Sequence, residues 1–155
     1  MEIFNIKELV DKLTEKDIIK YLSVLNDLTN VYNDDDELKF LIRNFKDYVN
    51  SLLPNMHIYI MMKNNDIIGS GSLVVENKII HGFGKVGHIE DVVIEKSQQN
   101  KCYGKMLLNH LIKKGKEFNC YKVVLNCDDD KIGFYEKIKP SDTSIKVSIK
   151  VSYYF

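Results

Sequence analysis

Apolar residues in the first third of the chain recur every three or four positions. Ile6, Leu9, Val10 and Leu13 share one face of a short helix that Asn5 can cap. Thr14 followed by Asp17 marks a second helix start, after which Ile18, Tyr21, Leu22, Leu25 and Leu28 keep helical spacing. The acidic stretch Tyr32 to Glu37 (YNDDDE) reads as a turn. A third helix follows with Leu38, Leu41, Ile42, Phe45, Tyr48, Val49 and Leu52 on one stripe, and Pro54 stops it.

After Pro54 the period changes. His57 to Lys63 (HIYIMMK) reads as a strand, Asn64-Asn65-Asp66 as a turn, and Ile67 to Glu76 as the hairpin partner. Asn77 to Lys85 is a connection, and Val86 to Ile94 (VGHIEDVVI) is a third strand. Gln99 to Gly104 is a polar loop opening a helix whose Leu107, Leu108, Leu111, Ile112 and Phe118 face inward. Tyr121 to Cys127 (YKVVLNC) is apolar, as expected of a central strand. Lys131 to Ile138 makes a short helix. Ile145, Val147, Ile149 and Val151 then alternate with Lys and Ser, which predicts a half-exposed last strand. The order predicts an α/β domain around a mixed sheet, with one strand–helix–strand crossover at Val86 to Cys127. No repeat or linker is visible, so a single domain over 1–155 is expected.

Composition narrows the function. The 155 residues are 45% hydrophobic and 28% charged, with eight Gly and two Pro, which excludes collagen and long disorder. A chain this long buries roughly 70% of its unfolded surface and folds without staples. Basic and acidic residues balance at 22 each, which argues against an electrostatic grip on nucleic acid. Arg43 is the one arginine, so no Arg cluster for bidentate phosphate recognition exists. Cys102, Cys120 and Cys127 form no CxxC pair, which argues against a disulfide framework or a metal site. The N-terminus is charged and the longest apolar run, Ile58 to Met62, is far too short for a membrane span. A soluble, cytoplasmic protein with no membrane partner is expected.

The crossover holds the candidate chemistry. A strand ends near Ile94, a polar loop follows, and a helix starts at about Tyr103, which is a natural anion site. Neither GxGxxG nor GxxxxGK[ST] occurs. The loop Gln99-Asn100-Lys101-Cys102-Tyr103-Gly104 instead resembles the Q/R-x-x-G-x-G/A pyrophosphate loop of the GNAT superfamily of N-acetyltransferases. GKVGHIEDVVI (Gly84 to Ile94), CYKVVLNC (Cys120 to Cys127) and FYEK (Phe134 to Lys137) follow in family order and spacing. Together with Leu28 to Val31 and Gly69 to His81, they make residues 15 to 138 resemble the glucosamine-6-phosphate N-acetyltransferase family.

That resemblance implies a GNAT fold, a mixed and mostly antiparallel sheet flanked by helices, with acetyl-CoA as co-substrate and no metal. It assigns coenzyme contacts to Val92, Val93, Ile94, Asn100, Lys101, Cys102, Tyr103, Gly104, Lys105, Tyr135 and Lys137. Acceptor contacts, to D-glucosamine 6-phosphate, fall on Thr29, Lys78, His81, Glu90, Asp91, Tyr121, Lys122 and Asn126, with Tyr121 and Lys122 reaching a partner subunit's site. Glu90, Asp91 and Tyr135 are implied as catalytic, Tyr135 protonating the departing thiolate. It also implies a homodimer, which the aromatic tail Tyr153-Tyr154-Phe155 suits.

Taken alone, the residues allow blander readings. Adjacent strand residues such as Glu90 and Asp91 point to opposite faces and can form a solvent-exposed strand end. Tyr135 fits a core aromatic, Lys78 and His81 fit a surface connection, and His88 reads as structural. Two departures matter. Cys102 replaces a Gly that lets the backbone approach the pyrophosphate; a thiol is tolerated there where the local φ is negative, and weaker coenzyme binding is the alternative. Asn126 stands where the family has Asp or Glu and cannot be a base. The implied reaction is direct acetyl transfer to the 2-amino group of D-glucosamine 6-phosphate. The alternatives are a GNAT enzyme of another amine, against which GHIEDVV and CYK argue, and an inactive coenzyme-A binder, which Cys102 and Asn126 favour.

Overall fold

The structure, a computed structural model, describes residues 1–137. The predicted strand Ile145 to Val151 and the tail Tyr153 to Phe155 lie outside the described residues. A strand β1 (Glu2–Asn5) opens the chain and runs into α1 (Ile6–Leu9), a single turn capped by Asn5, whose side chain accepts from the Lys7 N–H at 3.0 Å. Helix α2 (Glu15–Asn26) starts at a capping box, in which Thr14 and Asp17 satisfy each other's backbone N–H. Asp34 caps α3 (Asp35–Ser51), whose acidic first turn suits the positive end of the helix.

Four more strands complete the described sheet: β2 (Met56–Lys63), β3 (Asp66–Asn77), β4 (Lys85–Ile94) and β5 (Cys120–Leu125), in the spatial order β1-β2-β3-β4-β5. The first three pairings are antiparallel, and β4 and β5 pair in parallel through α5 (Tyr103–Glu117). This is the expected mixed sheet with its one crossover.

Each face carries a core. Ile58, Ile60 and Val93 join Ile6, Val10, Ile18, Leu22, Phe45 and Val49 beneath α1, α2 and α3. Tyr59, Met61, Leu73 and Ile89 meet Leu107, Leu108 and Leu111 of α5 on the other. Because β2 is covered on both faces, its pattern is a continuous apolar run and not an alternation. Each fully buried side chain contributes about 1.5–3 kcal/mol, so truncating Leu111, which is 0% exposed, removes a major fixing point of α5.

Two expectations are corrected. The first strand was not foreseen: EIFN is too short to show a period. In the connection after β3, Ile80–Phe83 forms a one-turn element, α4, in which His81, Gly82 and Phe83 take left-handed φ of 54°, 64° and 60°. Strand β5 is the last of the described sheet, with Tyr121 and Lys122 exposed, and the strand expected after it lies outside the described residues. The described part of the last helix is α6 (Ile132–Glu136), preceded by a 3-10 turn at Asp129–Lys131.

Candidate active site

Strand β4 is irregular where its two carboxylates sit. Ser72 pairs with Glu90 and Ser70 with Val93, so two residues of β4, Asp91 and Val92, oppose Gly71 alone. Asp91 is the extra residue, with φ of 53°. A bulge of this kind shifts the side-chain alternation by one. Val92 therefore packs on the α5 side and Val93 on the α2 side. The simple alternation expected for Glu90 and Asp91 does not hold here. Both are exposed, and the Asp91 carboxylate is felt by the buried Tyr21 hydroxyl of α2. Opposite the bulge a glycine leaves room for α5: a Cβ on Gly71 would lie 2.9 Å from Leu111 Cδ1, which would have to shift.

The same strand parts from β5. Their pairing ends at Ile89 with Leu125, so among the described residues Glu90 to Ile94 have no partner strand on that side. Val93 and Ile94 are buried, at 5% and 9% exposure, and what they offer a ligand is main chain. Beyond Ile94 a 3-10 turn (Lys96–Gln98) leads into the loop. Gln99 Nε2 donates to the Ile94 carbonyl at 3.0 Å, and Lys101 Nζ donates to the Ser97 carbonyl at 2.9 Å.

Asn100 and Cys102 both have left-handed φ, 60° and 63°. The condition set for Cys102, a negative φ, therefore fails. A Cβ in that region costs about 1–2 kcal/mol, which glycine would avoid. Cys102 is also the N-cap of α5 and gives it no side-chain bond. The N–H groups of Tyr103, Gly104 and Lys105 thus stand open at the positive end of a 15-residue helix. Gly104 is held against α6, where a Cβ would lie 3.0 Å from Phe134. An open helix start beside a strand with free main chain fits a pyrophosphate followed by an amide-bearing arm.

Tyr135 of α6 is half-buried and packs edge-on to Phe134 at 5.1 Å. Burial, then the neighbouring Cys127, push its hydroxyl above the ordinary tyrosine range, so it carries its proton at neutral pH. Asn126 is exposed just past the end of β5. Burial raises the thiols of Cys120 and Cys127, with carboxylates from Asp128 to Asp130 adding to the second, and both are poor nucleophiles. Thr29 is exposed after α2, and two residues earlier Asp27 accepts from the Lys96 N–H at 2.9 Å, which ties the end of α2 to the turn after β4.

Two predicted residues, Lys78 and His81, do not converge here, and they lie with Tyr121 and Lys122, which were expected to reach a partner subunit's site. Lys78, His81, Tyr121 and Lys122 cluster around the start of β4 and β5. Strand β4 alone separates Lys85 from Glu90 by about 17 Å. The His81 and Tyr121 rings lie 4.4 Å apart at a tilt of 41°, and Lys122 Nζ lies 5.7 Å from the centre of the Tyr121 ring. Lys78 and His88 both bind Glu76, the imidazole at 2.9 Å, and hold its carboxyl below the ordinary glutamate range. His88 is structural, as read. Lys137 is exposed at the C-terminal end of α6.

Sequence reasoning missed the supports of the site. Gly71 and Ser70 face the bulge from β3, Tyr21 of α2 shares a hydrogen bond with Ser70 at 3.2 Å, and Lys20 Nζ binds Glu95 Oε1 at 2.6 Å just beyond β4. One signal was present: GSGS (Gly69 to Ser72) is a run of small residues inside an otherwise apolar strand.

The chain matches the Acetyltransferase (GNAT) family over residues 7–139. It is 39% identical over 140 residues to glucosamine 6-phosphate N-acetyltransferase of Candida albicans, covering 88% of this chain and 89% of that protein. It is 31% identical over 151 residues to the glucosamine 6-phosphate N-acetyltransferase of Arabidopsis thaliana, covering 95% and 96%. The crystal structure of the Arabidopsis enzyme superimposes with a TM-score of 0.67 at 28% identity, covering 97% of this chain and 98% of that one. The chain belongs to the acetyltransferase (GNAT) family, and these relatives, matched over most of their length, are glucosamine 6-phosphate N-acetyltransferases.

Proposed function

We propose that the protein transfers an acetyl group from acetyl-CoA to the 2-amino group of D-glucosamine 6-phosphate. The supporting observation is the parting of β4 from β5 beside the open start of α5, with Glu90 and Asp91 at the bulge. Acetyl-CoA is a second substrate: its pyrophosphate suits the N–H groups of Tyr103 to Lys105, and its amides suit the main chain of Val92 to Ile94. Asn100, Lys101 and Cys102 complete the loop around it. Glu90, Asp91, Thr29 and Asn126 border the acceptor. Lys78, His81, Tyr121 and Lys122 meet a sugar phosphate only across a subunit boundary.

The amine must be neutral to attack the acetyl carbonyl carbon. Asn126 cannot take its proton, so a water leading to Glu90 or Asp91 does. A main-chain N–H near Val92 holds the oxyanion. As the C–S bond breaks, Tyr135 gives its proton to the thiolate. Most of the acceleration comes from holding two substrates together. The raised thiols of Cys120 and Cys127 argue against an acetylated cysteine intermediate.

On this reading the chain is one N-acetyltransferase domain, acting in the cytoplasm as a homodimer. The exposed Ile79, Ile80, Phe83 and Tyr121, all near the displaced acceptor residues, support the dimer. Sedimentation of a monomer at micromolar concentration would remove it. The function is tested by thiol release from acetyl-CoA with glucosamine 6-phosphate, glucosamine, glucosamine 1-phosphate or mixed peptides. Release only with the first is expected. Release with peptides overturns the acceptor, and coenzyme binding without any release overturns the activity.

A further inference from the structure

Two consecutive residues of α2 grip the two halves of the site from one side of the sheet. Lys20 reaches the exit of β4, where its ammonium meets Glu95 at 2.6 Å and Asp66 at 3.5 Å. Tyr21 reaches the bulge. Its hydroxyl lies 3.2 Å from Ser70 Oγ, with either group able to donate. Both residues are buried, Tyr21 at 4% and Ser70 at 1% exposure. Phe45 of α3 packs against the Tyr21 ring at 5.6 Å and 72°, which fixes where the hydroxyl sits. In an apolar core each of these hydroxyls has the other as its partner, and losing one leaves a buried polar group unpaired.

The position of this pair is informative. Ser70 is opposite Val93, the first β4 residue back in register after the slip. Aspartate accepts a left-handed φ more readily than most residues, so where the extra residue of β4 falls is set by its neighbours. On the β3 side those neighbours are Gly71, which offers no side chain, and Ser70, which is tied to a helix. We propose that Tyr21 is a positioning residue for Asp91: through Ser70 it fixes β3 at the register slip, and so keeps the Asp91 carboxylate presented to the acceptor. Lys20, one residue earlier, holds the strand exit that leads to the coenzyme loop. The two grips therefore serve different substrates. The inference rests on the acetyltransferase reading above.

The test is a pair of variants read against both substrates. Tyr21→Phe keeps the ring and removes the hydroxyl. It is expected to raise the acceptor KM or lower kcat about tenfold, while KM for acetyl-CoA stays within about twofold. Lys20→Gln is expected to raise KM for acetyl-CoA and spare the acceptor. Ser70→Ala should reproduce Tyr21→Phe, and the double variant should be no worse than either, since one pair is lost in all three. Amide hydrogen exchange gives a second readout that needs no acceptor. Amides of Glu90 to Val93 should exchange about tenfold faster in Tyr21→Phe, with Leu107 to Leu111 unchanged. Unchanged exchange at Glu90 to Val93, or both KM values rising together in Tyr21→Phe, overturns the proposal. Wild-type protein that releases no thiol with glucosamine 6-phosphate sinks the acetyltransferase reading instead, and the exchange experiment still decides whether Tyr21 holds the bulge.

Discussion

The turn between β2 and β3 and the stretch from Asp91 to Cys102 both contain left-handed residues, yet they are built differently. At the turn, Asn64 and Asn65 have φ of 51° and 64° and join Lys63 to Asp66 across a two-residue loop. Such hairpin loops need positive φ at both central positions, and asparagine takes it at low cost. In the second stretch the left-handed residues are Asp91, Asn100 and Cys102. Cysteine has no short polar side chain to bond its own backbone and carries the full penalty. One region therefore closes a hairpin with two residues suited to its geometry, whereas the other places a cysteine, which resists that geometry, beside an aspartate and an asparagine that accept it. Strain of that kind is retained where function needs the shape. Three ties surround it, Tyr21 to Ser70, Lys20 to Glu95 and Gln99 to Ile94.

The sharpest way to separate shape from charge is Asp91→Asn. Asparagine keeps the tolerance for positive φ and loses the carboxylate. We expect kcat/KM for the acceptor to fall about 100-fold with thermal stability nearly unchanged. An active variant would mean that Asp91 is kept for its backbone alone, like the asparagines of the turn.

A second test attacks the brace. Burial, opposed by the bond to Ser70, pushes the Tyr21 hydroxyl up to about 12 from 10.0. Between those values the unfolded chain has lost a proton that the folded chain keeps. Stability must therefore fall as pH rises through this window, by about 3 kcal/mol in all. Chemical denaturation from pH 9 to 12 should show the fall, and Tyr21→Phe should make it shallower. An identical slope in the variant would place the alkaline weakness elsewhere.

The smallest effect compares the two regions directly. Cys102→Gly should stabilise the protein by up to about 1 kcal/mol, the relieved strain less the added freedom of the unfolded chain, and should lower KM for acetyl-CoA. Asn65→Gly at the turn should change stability by only a few tenths of a kcal/mol. Equal effects at the two positions would mean that Cys102 is not strained.

Periodicity exposed what periodic packing builds. The stripe around Phe45 and Val49, the hairpin at Asn64-Asn65 and the parallel crossover were all legible, because each repeats one contact many times. Motif spacing led to the loop before α5 and to Glu90-Asp91. Hidden from it were features in which one residue departs from its neighbours. The bulge adds a single residue to β4, and VGHIEDVVI reads the same with or without it. The sign of φ at Cys102 leaves no trace in the residue type. Lys78 and His81 were grouped with the catalytic pair by motif, but strand length sets them apart, beside Tyr121 and Lys122, which were expected at a partner subunit's site. The first strand fell below the length at which alternation shows.

The parting of β4 from β5 has a consequence for how this site tolerates change. On the acetyltransferase reading, the groups that meet the coenzyme along Val92 to Ile94 are peptide units, while the side chains of Val93 and Ile94 point into cores. Substitutions there are judged by packing alone, so the lettering of this segment is free to drift while the recognition surface stays the same. Proline is the exception, since it alone deletes a peptide N–H. A scan of conservative apolar replacements along these three positions would thus leave donor recognition nearly flat, with a single sharp failure at proline.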